Sequence, residues 1–551
     1  MVRILFLWAL FSVSVGMAAP AHSSDNALTR ASAFLARATF GPSMGEIETL
    51  AASSDYSQWL DNQFSLPQSS HYQWISTNLP GIGWTTATDV VQTAWRDAWW
   101  DIAVNGEDQL RQRVAFALSE IFVVSMFGPL INRPDGLTVY YDTLASNAFG
   151  NFRDLLGEVS RSPMMGAYLS YLGNAKADPV AGSRPDENYA RELMQLFSIG
   201  LYQLNPDGSR KTDAGGNPIP TYTQADIQEM ARVFTGWTDD DGGFFPGEGH
   251  VTHHARITPM VAMEDYHDTG AKQLSRVLGV NVPAGLSAQQ ELDFVLDRLF
   301  QHPNVGPFIG RQLIQRLVSS NPSPAYISRV AAAFDDNGSG VRGDMKAVIR
   351  AVLLDPEALS GRQGNAISFG KVREPLLFIT HLWRAFHAAN GLHKRGWNDE
   401  YEYRSFNFQY VRSFLQQNAP LEALTVFNWF TPDDGPSELI NDGLVAPEMT
   451  ILGIEGLHHL MMSLVHQTYT YEVHGMTASL DVSQELALLQ AGSHEQLLER
   501  LNVLLMAGSM SGEMKQLLLD YLNNHSSTVP DTLVRNLISL VVTSSEYAVQ
   551  R

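Results

Sequence analysis

The chain has 551 residues, with 44% hydrophobic and 17% charged, an ordinary globular balance for a length that buries a large core. Its net charge of −21 disfavours nucleic acid, since binding to phosphates rewards Lys and Arg, and suits solubility, a cationic partner or a divalent metal. The absence of cysteine excludes disulfides, thiolate nucleophiles and cysteine metal ligands.

The N-terminus reads "MVRILFLWALFSVSVGMAAPAHSS". Arg3, an apolar run from Ile4 to about Met17 and the small residues Ala19-Pro20-Ala21 form the pattern of a secretory signal peptide over residues 1–21. The run is shorter than the roughly 20 residues that a spanning helix needs. No later stretch is long and apolar enough to span either. The expectation is an exported, periplasmic or secreted protein with no integral membrane segment after cleavage.

Downstream, most of the chain follows helical periodicity. "DQLRQRVAFALSEIFVVS" (108–125) places Leu110, Val114, Ala117, Leu118, Ile121 and Phe122 on one stripe. "RPDENYARELMQLFSIGL" (184–201) is amphipathic, with Pro185 suited to the first turn. "TQADIQEMARVFTGW" (223–237) opens with a Thr223–Asp226 capping box. "AQQELDFVLDRLFQHP" and "NVGPFIGRQLIQRLVSSNP" predict two helices joined near His302-Pro303. "AYISRVAAAFDDNGSG" and "DMKAVIRAVLLDPEAL" predict another pair around an Asn-Gly-Ser-Gly turn, and "DTLVRNLISLVVTSSEY" ends the series. Residues 202–223 carry Asp207-Gly208 and Gly215-Gly216-Asn217, and predict a β-hairpin or decorated loop. Residues 238–274 predict irregular structure with a few strands. The predicted fold is mainly α: one multi-helix domain over 22–551, with a small β or irregular polar insertion at 202–274.

Two segments carry the candidate chemistry. In the first, Asp186, Glu187, Asn188, Arg191 and Glu192 share a helix, preceded by Lys176 and Asp178. Glu187 and Arg191 stand at i,i+4, the spacing of a solvated ion pair. The composition, an amide, a guanidinium and carboxylates together, fits equally a network anchored by Arg191 or a polar catalytic site. In the second, "HVTHHARITPMVAMEDYHDTGAK" (250–272) holds His253, His254, Glu264 and His267, side chains suited to a cysteine-free site for a divalent metal. His267 and Asp268 with Lys272 equally suit acid–base work. No compact metal motif, Gly-x-Ser-x-Gly elbow or phosphate-binding loop occurs.

Some lookalikes are set aside. "DDNGSGVRGDMK" (335–346) places Lys346 where a calcium loop requires a bidentate Glu, and reads as a helix–helix turn. "TDDDGG" (238–243) suits calcium by charge alone. Trp84, Trp95, Trp99 and Trp100 include a pair four residues apart, as core residues are.

Taken in order, "FLARATFGPSMGEIETL", "DQLRQRVAFALSEIFVVS", "RPDENYARELMQLFSIGL", "YTQADIQEMARVFTGW", "YHDTGAKQL" and "GLVAPEM" resemble the bacterial family known as domain of unknown function 1800. The resemblance runs from about residue 28 to 547. It implies a largely helical, exported protein. It also implies a sulfatase-like exported neighbour of the unknown-function 1501 family, and carries over no catalytic residue. Two functions are therefore expected: a binding or assembly factor acting with that partner, or a hydrolase-like or metal-dependent enzyme. The enzyme's cleft would lie between the 186–192 helix and the 253–272 loop.

Overall fold

A computed structural model describes residues 26–81, 84, 89–245, 252–361, 368–395, 401–406, 419–467 and 478–551. Residues 1–21, read as a signal peptide, lie outside them. Among the described residues 56% are helix and 6% strand, so the periodic apolar stripes do build helices. The 108–125 segment forms a helix only over Gln109–Ser119. Its last apolar residues leave the helix axis, and Met126 N–H instead donates to Leu421 O at 2.8 Å. The predicted capping box is present, with Thr223 N–H donating to Asp226 Oδ2 at 2.7 Å ahead of the Gln224–Val233 helix. His302-Pro303 separates the Ala288–Phe300 and Val305–Leu317 helices. The 335–346 segment is a turn between the Pro324–Asp335 and Met345–Leu353 helices, as read. Asp336 Oδ1 takes the Gly338 and Gly340 N–H groups there, so backbone donors occupy the carboxylate.

The strands are short antiparallel pairs. Trp237–Thr238 pairs with Val261–Ala262, Lys371–Val372 with Val549–Gln550, and Gly391–Arg395 with Tyr401–Ser405. Residues 202–223 form a loop stitched by the single bridges Tyr202↔Pro220, Leu204↔Arg210 and Thr212↔Pro218. Within 238–274, expected to be irregular, His253–Ile257 is a short helix capped by Thr252.

One hydrophobic cluster runs from Ala31 to Tyr547 and takes in Trp95, Trp99 and Trp100. Sequence-distant segments meet across it. Ser32 Oγ donates to Val503 O at 2.6 Å, and Gln550 Nε2 to Leu317 O at 3.0 Å. A buried ionic group lies inside: Arg113, Glu120, Arg316, Lys371, Glu374 and Glu448. Lys371 Nζ sits 3.0 Å from Glu448 Oε1, and Arg316 Nη2 donates to Glu120 O at 3.0 Å. Burial, and then the neighbouring Glu374, push the Glu120 carboxyl well above its ordinary value. Two family-like motifs, at 108–125 and 443–449, meet in this group through Glu120 and Glu448.

Candidate functional site

The charged side chains of the two polar segments find separate partners. Arg191 lies on the Asn188–Gln195 helix and is 37% exposed. It contacts Glu187 Oε2 at 3.1 Å and Gln224 Oε1 at 3.4 Å. The predicted i,i+4 pair is therefore present, but Arg191 does not gather the other acids. Asp186 Oδ1 instead accepts from Asn188 N–H at 2.8 Å, which fixes the helix start. Asp178 Oδ1 accepts from Val180 N–H at 2.8 Å within its own loop. Glu192 turns the other way and is 5% exposed, with Oε2 buried and unpartnered. Burial pushes its carboxyl up to about 7, with Arg191 pulling down less strongly.

His267, Asp268 and Lys272 come together elsewhere. His267 Nδ1 faces the Thr235 carbonyl oxygen at 2.9 Å, so that nitrogen donates. Its Nε2 lies 3.2 Å from Glu291 Oε2. Lys272 Nζ donates to both Glu291 oxygens at 2.6 Å and to the Asp268 carbonyl. All three side chains of this His–Glu–Lys group are at most 1% exposed. Asp268 forms a two-pronged pair with Arg232, at 2.8 and 3.0 Å. A group this dry, with every charge paired, holds the 267–272 loop onto the Gln224–Val233 and Ala288–Phe300 helices. Both polar segments reach the Gln224–Val233 helix, one at Gln224 and the other at Arg232. Those positions are eight residues apart, about 12 Å along the axis.

The metal set is dispersed as well. His253 pairs with Asp135, His254 with Asp240, and His267 with Glu291. Glu264 accepts from the Ala288 N–H at the start of a helix. Among the described residues, no group of three His, Asp or Glu side chains is placed to hold a metal ion. The acidic run at 239–241 also divides: Asp239 faces Arg133, Asp240 faces His254, and Asp241 caps Gly243 N–H.

The arrangement best suited to chemistry forms around His253. Asp135 lies in the first turn of the Pro134–Asn147 helix and is fully buried. Arg256 Nε donates to its two oxygens at 2.8 and 2.7 Å, and His253 Nδ1 sits 2.6 Å from Oδ2. A carboxylate can only accept there, so Nδ1 carries the proton and Nε2 offers a lone pair. That lone pair faces the Tyr72 hydroxyl at 3.0 Å. The Tyr72 and His253 rings are nearly parallel, 11° apart, and the Trp84 indole lies parallel to both, at 9° and 12°. Arg256 Nη2 donates to the Trp84 carbonyl at 3.0 Å, which ties the indole's backbone to the same group. Burial, and then the Asp135 charge, raise the Tyr72 phenol, so it stays protonated at neutral pH. His253 is 29% exposed, unlike the sealed His267. Asp239 completes the neighbourhood. Its Oδ2 is 3.9 Å from Arg133, and burial lifts its carboxyl to about 6 despite Arg133. A surface groove of 480 Å³ lined by Arg329, Asp336, Arg350 and Asp355 contains none of these residues.

Sequence reasoning reached His253 only as a metal ligand, and missed Asp135, Tyr72 and Glu291. Glu291 had a signal: it falls on the stripe of Ala288, Leu292, Val295 and Leu299, where a carboxylate needs a buried partner. Asp135, after Pro134, looks like any acid favouring a helix dipole.

The class of protein defined by these features is a mainly helical one, with two buried ionic groups and a half-open Asp–His–Tyr chain. A family model described as "Protein of unknown function (DUF1800)" matches residues 33–549, and the chain belongs to that family. No curated protein and no solved structure matches it. No described helix is long and apolar enough to cross a membrane.

Proposed function

We propose that the protein is a hydrolase-like enzyme performing acid–base chemistry through Tyr72, His253 and Asp135. One observation carries the reading: a buried carboxylate fixes the tautomer of a half-exposed imidazole, whose free nitrogen meets a phenol held in its protonated form. In this chain His253 Nε2 takes up the Tyr72 proton as the Tyr72 oxygen accepts the proton of an attacking hydroxyl or water, and Asp135 balances the charge that His253 gains. Tyr72 then passes a proton to the departing group and recovers one from His253. Arg256 holds Asp135 in place from the opposite side. The test is turnover of a panel of carboxylic, phosphate and sulfate esters, amides and glycosides by wild type, His253→Gln and Tyr72→Phe. Each substitution is expected to lower turnover by about 100-fold or more with an unchanged melting temperature. Equal rates in the variants, or no turnover of any substrate by wild type, would refute it.

The second reading is an assembly factor acting with a sulfatase-like exported protein of the unknown-function 1501 family. It is favoured by Leu424 and Phe427, two large apolar side chains on one loop that are 78% and 45% exposed. Co-purification with that partner, lost in Leu424→Ser/Phe427→Ser, would support it. Export belongs to either reading, and mass analysis of protein from the periplasm or medium is expected to give an N-terminus near His22.

A further inference from the structure

The Pro134–Asn147 helix carries a second carboxylate that reaches the site from behind. Asp142 stands two turns beyond Asp135 and only about 20° around the axis, so the two acids share one face about 10 Å apart. Asp142 Oδ1 accepts from the His71 N–H at 2.9 Å and faces His71 Nδ1 at 2.8 Å. Its Oδ2 accepts from the Tyr72 N–H at 3.0 Å and from the Ser70 hydroxyl at 2.7 Å. Ser70 Oγ in turn accepts from the Gln73 N–H at 3.1 Å, as the N-cap of the His71–Asn78 helix. The first N–H groups of a helix have no partner within it. Here Ser70 takes one and Asp142 takes two, so the turn that carries Tyr72 is fastened to a neighbouring helix instead of to water. The Asp142 side chain is 13% exposed and that of His71 1%, a setting in which hydrogen bonds to a carboxylate are strong.

This fastening closes a ring. It runs from Asp142 to the Tyr72 backbone, along the side chain to the phenol, and across 3.0 Å to His253 Nε2. From His253 Nδ1 it crosses 2.6 Å to Asp135, on the helix where it began. His71 repeats the Asp–His pairing without an outlet. Its Nδ1 donates to Asp142, while Nε2 is buried with no hydrogen-bond partner, against the Trp95 and Tyr141 rings. His71 therefore serves as an anchor and offers no base to a substrate.

Resting on the reading of Tyr72 and His253 as proton partners, we propose that Asp142 is a positioning residue that sets the Tyr72 hydroxyl against His253 Nε2. Asp142 meets Tyr72 at the backbone alone, so it acts through the aim of the side chain and carries no proton of the reaction. Without it the first turn loses two acceptors and frays, and the hydroxyl leaves the narrow range of distance and angle that a hydrogen bond allows.

The test is nitrogen-15 NMR of the full chain with labelled histidine at pH 8, above the ordinary histidine range. The His253 Nε2 resonance reports whether that nitrogen accepts a hydrogen bond. His253→Gln assigns it, and Tyr72→Phe gives its position with the bond removed. Asp142→Asn keeps the shape of the side chain, but turns one acceptor into a donor that faces other donors. It is expected to keep the wild-type circular dichroism and to move the resonance at least half of the way to the Tyr72→Phe position. Ser70→Ala keeps the Asp142 charge and removes one of its donors, and is expected to move the resonance less, in the same direction. It decides the matter if Asp142→Asn does not fold. A wild-type resonance in folded Asp142→Asn, or failing that in Ser70→Ala, would overturn the proposal. No substrate is needed, so a protein that turns nothing over refutes the catalytic reading and leaves this measurement to stand or fall separately.

Discussion

Glu291→Ala is the sharpest probe of the buried His–Glu–Lys group. In the native protein both Glu291 oxygens lie 2.6 Å from Lys272 Nζ, and the side chains are 1% and 0% exposed. Removing the carboxylate leaves Lys272 with the Asp268 carbonyl alone, and removes the partner 3.2 Å from His267 Nε2. Burial already draws the Lys272 ammonium below its ordinary value, and Glu291 opposes that pull. Stranding such a charge costs about 3–5 kcal/mol. Urea denaturation followed by far-UV circular dichroism reads the loss as a lower midpoint with an unchanged slope. A control separates charge from packing. Lys272→Met/Glu291→Leu removes both ions, and is expected to recover most of the loss, because the penalty comes from the unpaired member. A loss under about 1 kcal/mol in Glu291→Ala would show a solvated pair and refute the reasoning. A double variant as weak as the single one would show that shape, not charge, sets the cost.

Arg191→Ala is expected to cost under about 1 kcal/mol by the same assay, since its pair with Glu187 is open to solvent. Glu192 binds its proton more tightly in the folded chain than in the unfolded one. Its contribution is therefore full below about pH 4.5 and lost as pH rises through about 7. Wild type is accordingly expected to lose on the order of 2–3 kcal/mol relative to Glu192→Gln between pH 4.5 and pH 8. A parallel pH profile in the two proteins would contradict this. EDTA is expected to leave the melting temperature unchanged, because His253, His254, Glu264 and His267 each serve a different partner. A chelator-dependent fall would restore the metal site.

Helices were legible because their signals are local. The Thr223–Asp226 box, the break at His302-Pro303 and the i,i+4 pair of Glu187 with Arg191 depend on residues a few positions apart. The 108–125 stripe was read too long, because Met126 finds its partner at Leu421, far along the chain. The site was less legible for the same reason. His253 and Asp135 are 118 residues apart, and His253 and Tyr72 are 181 apart. A histidine in a polar loop gives no sign of which carboxylate will orient it. His267, Asp268 and Lys272 were rightly grouped. Their sealing by Glu291, nineteen residues beyond Lys272, changes them from candidate catalysts into an internal tie.

The contacts between sequence-distant segments set a schedule for folding. The Ala27–Ala38 helix leaves the ribosome early, yet the carbonyl that receives Ser32 belongs to Val503, 471 residues later in synthesis. The strand partner of Lys371–Val372 is Val549–Gln550, again far along the chain. Early helices must therefore keep their apolar faces uncovered until those later segments have been made, and the core closes only then. A chain held open in this way exposes hydrophobic surface for longer than one whose contacts are local, and loss of the Val549–Gln550 strand would leave Lys371–Val372 unpaired.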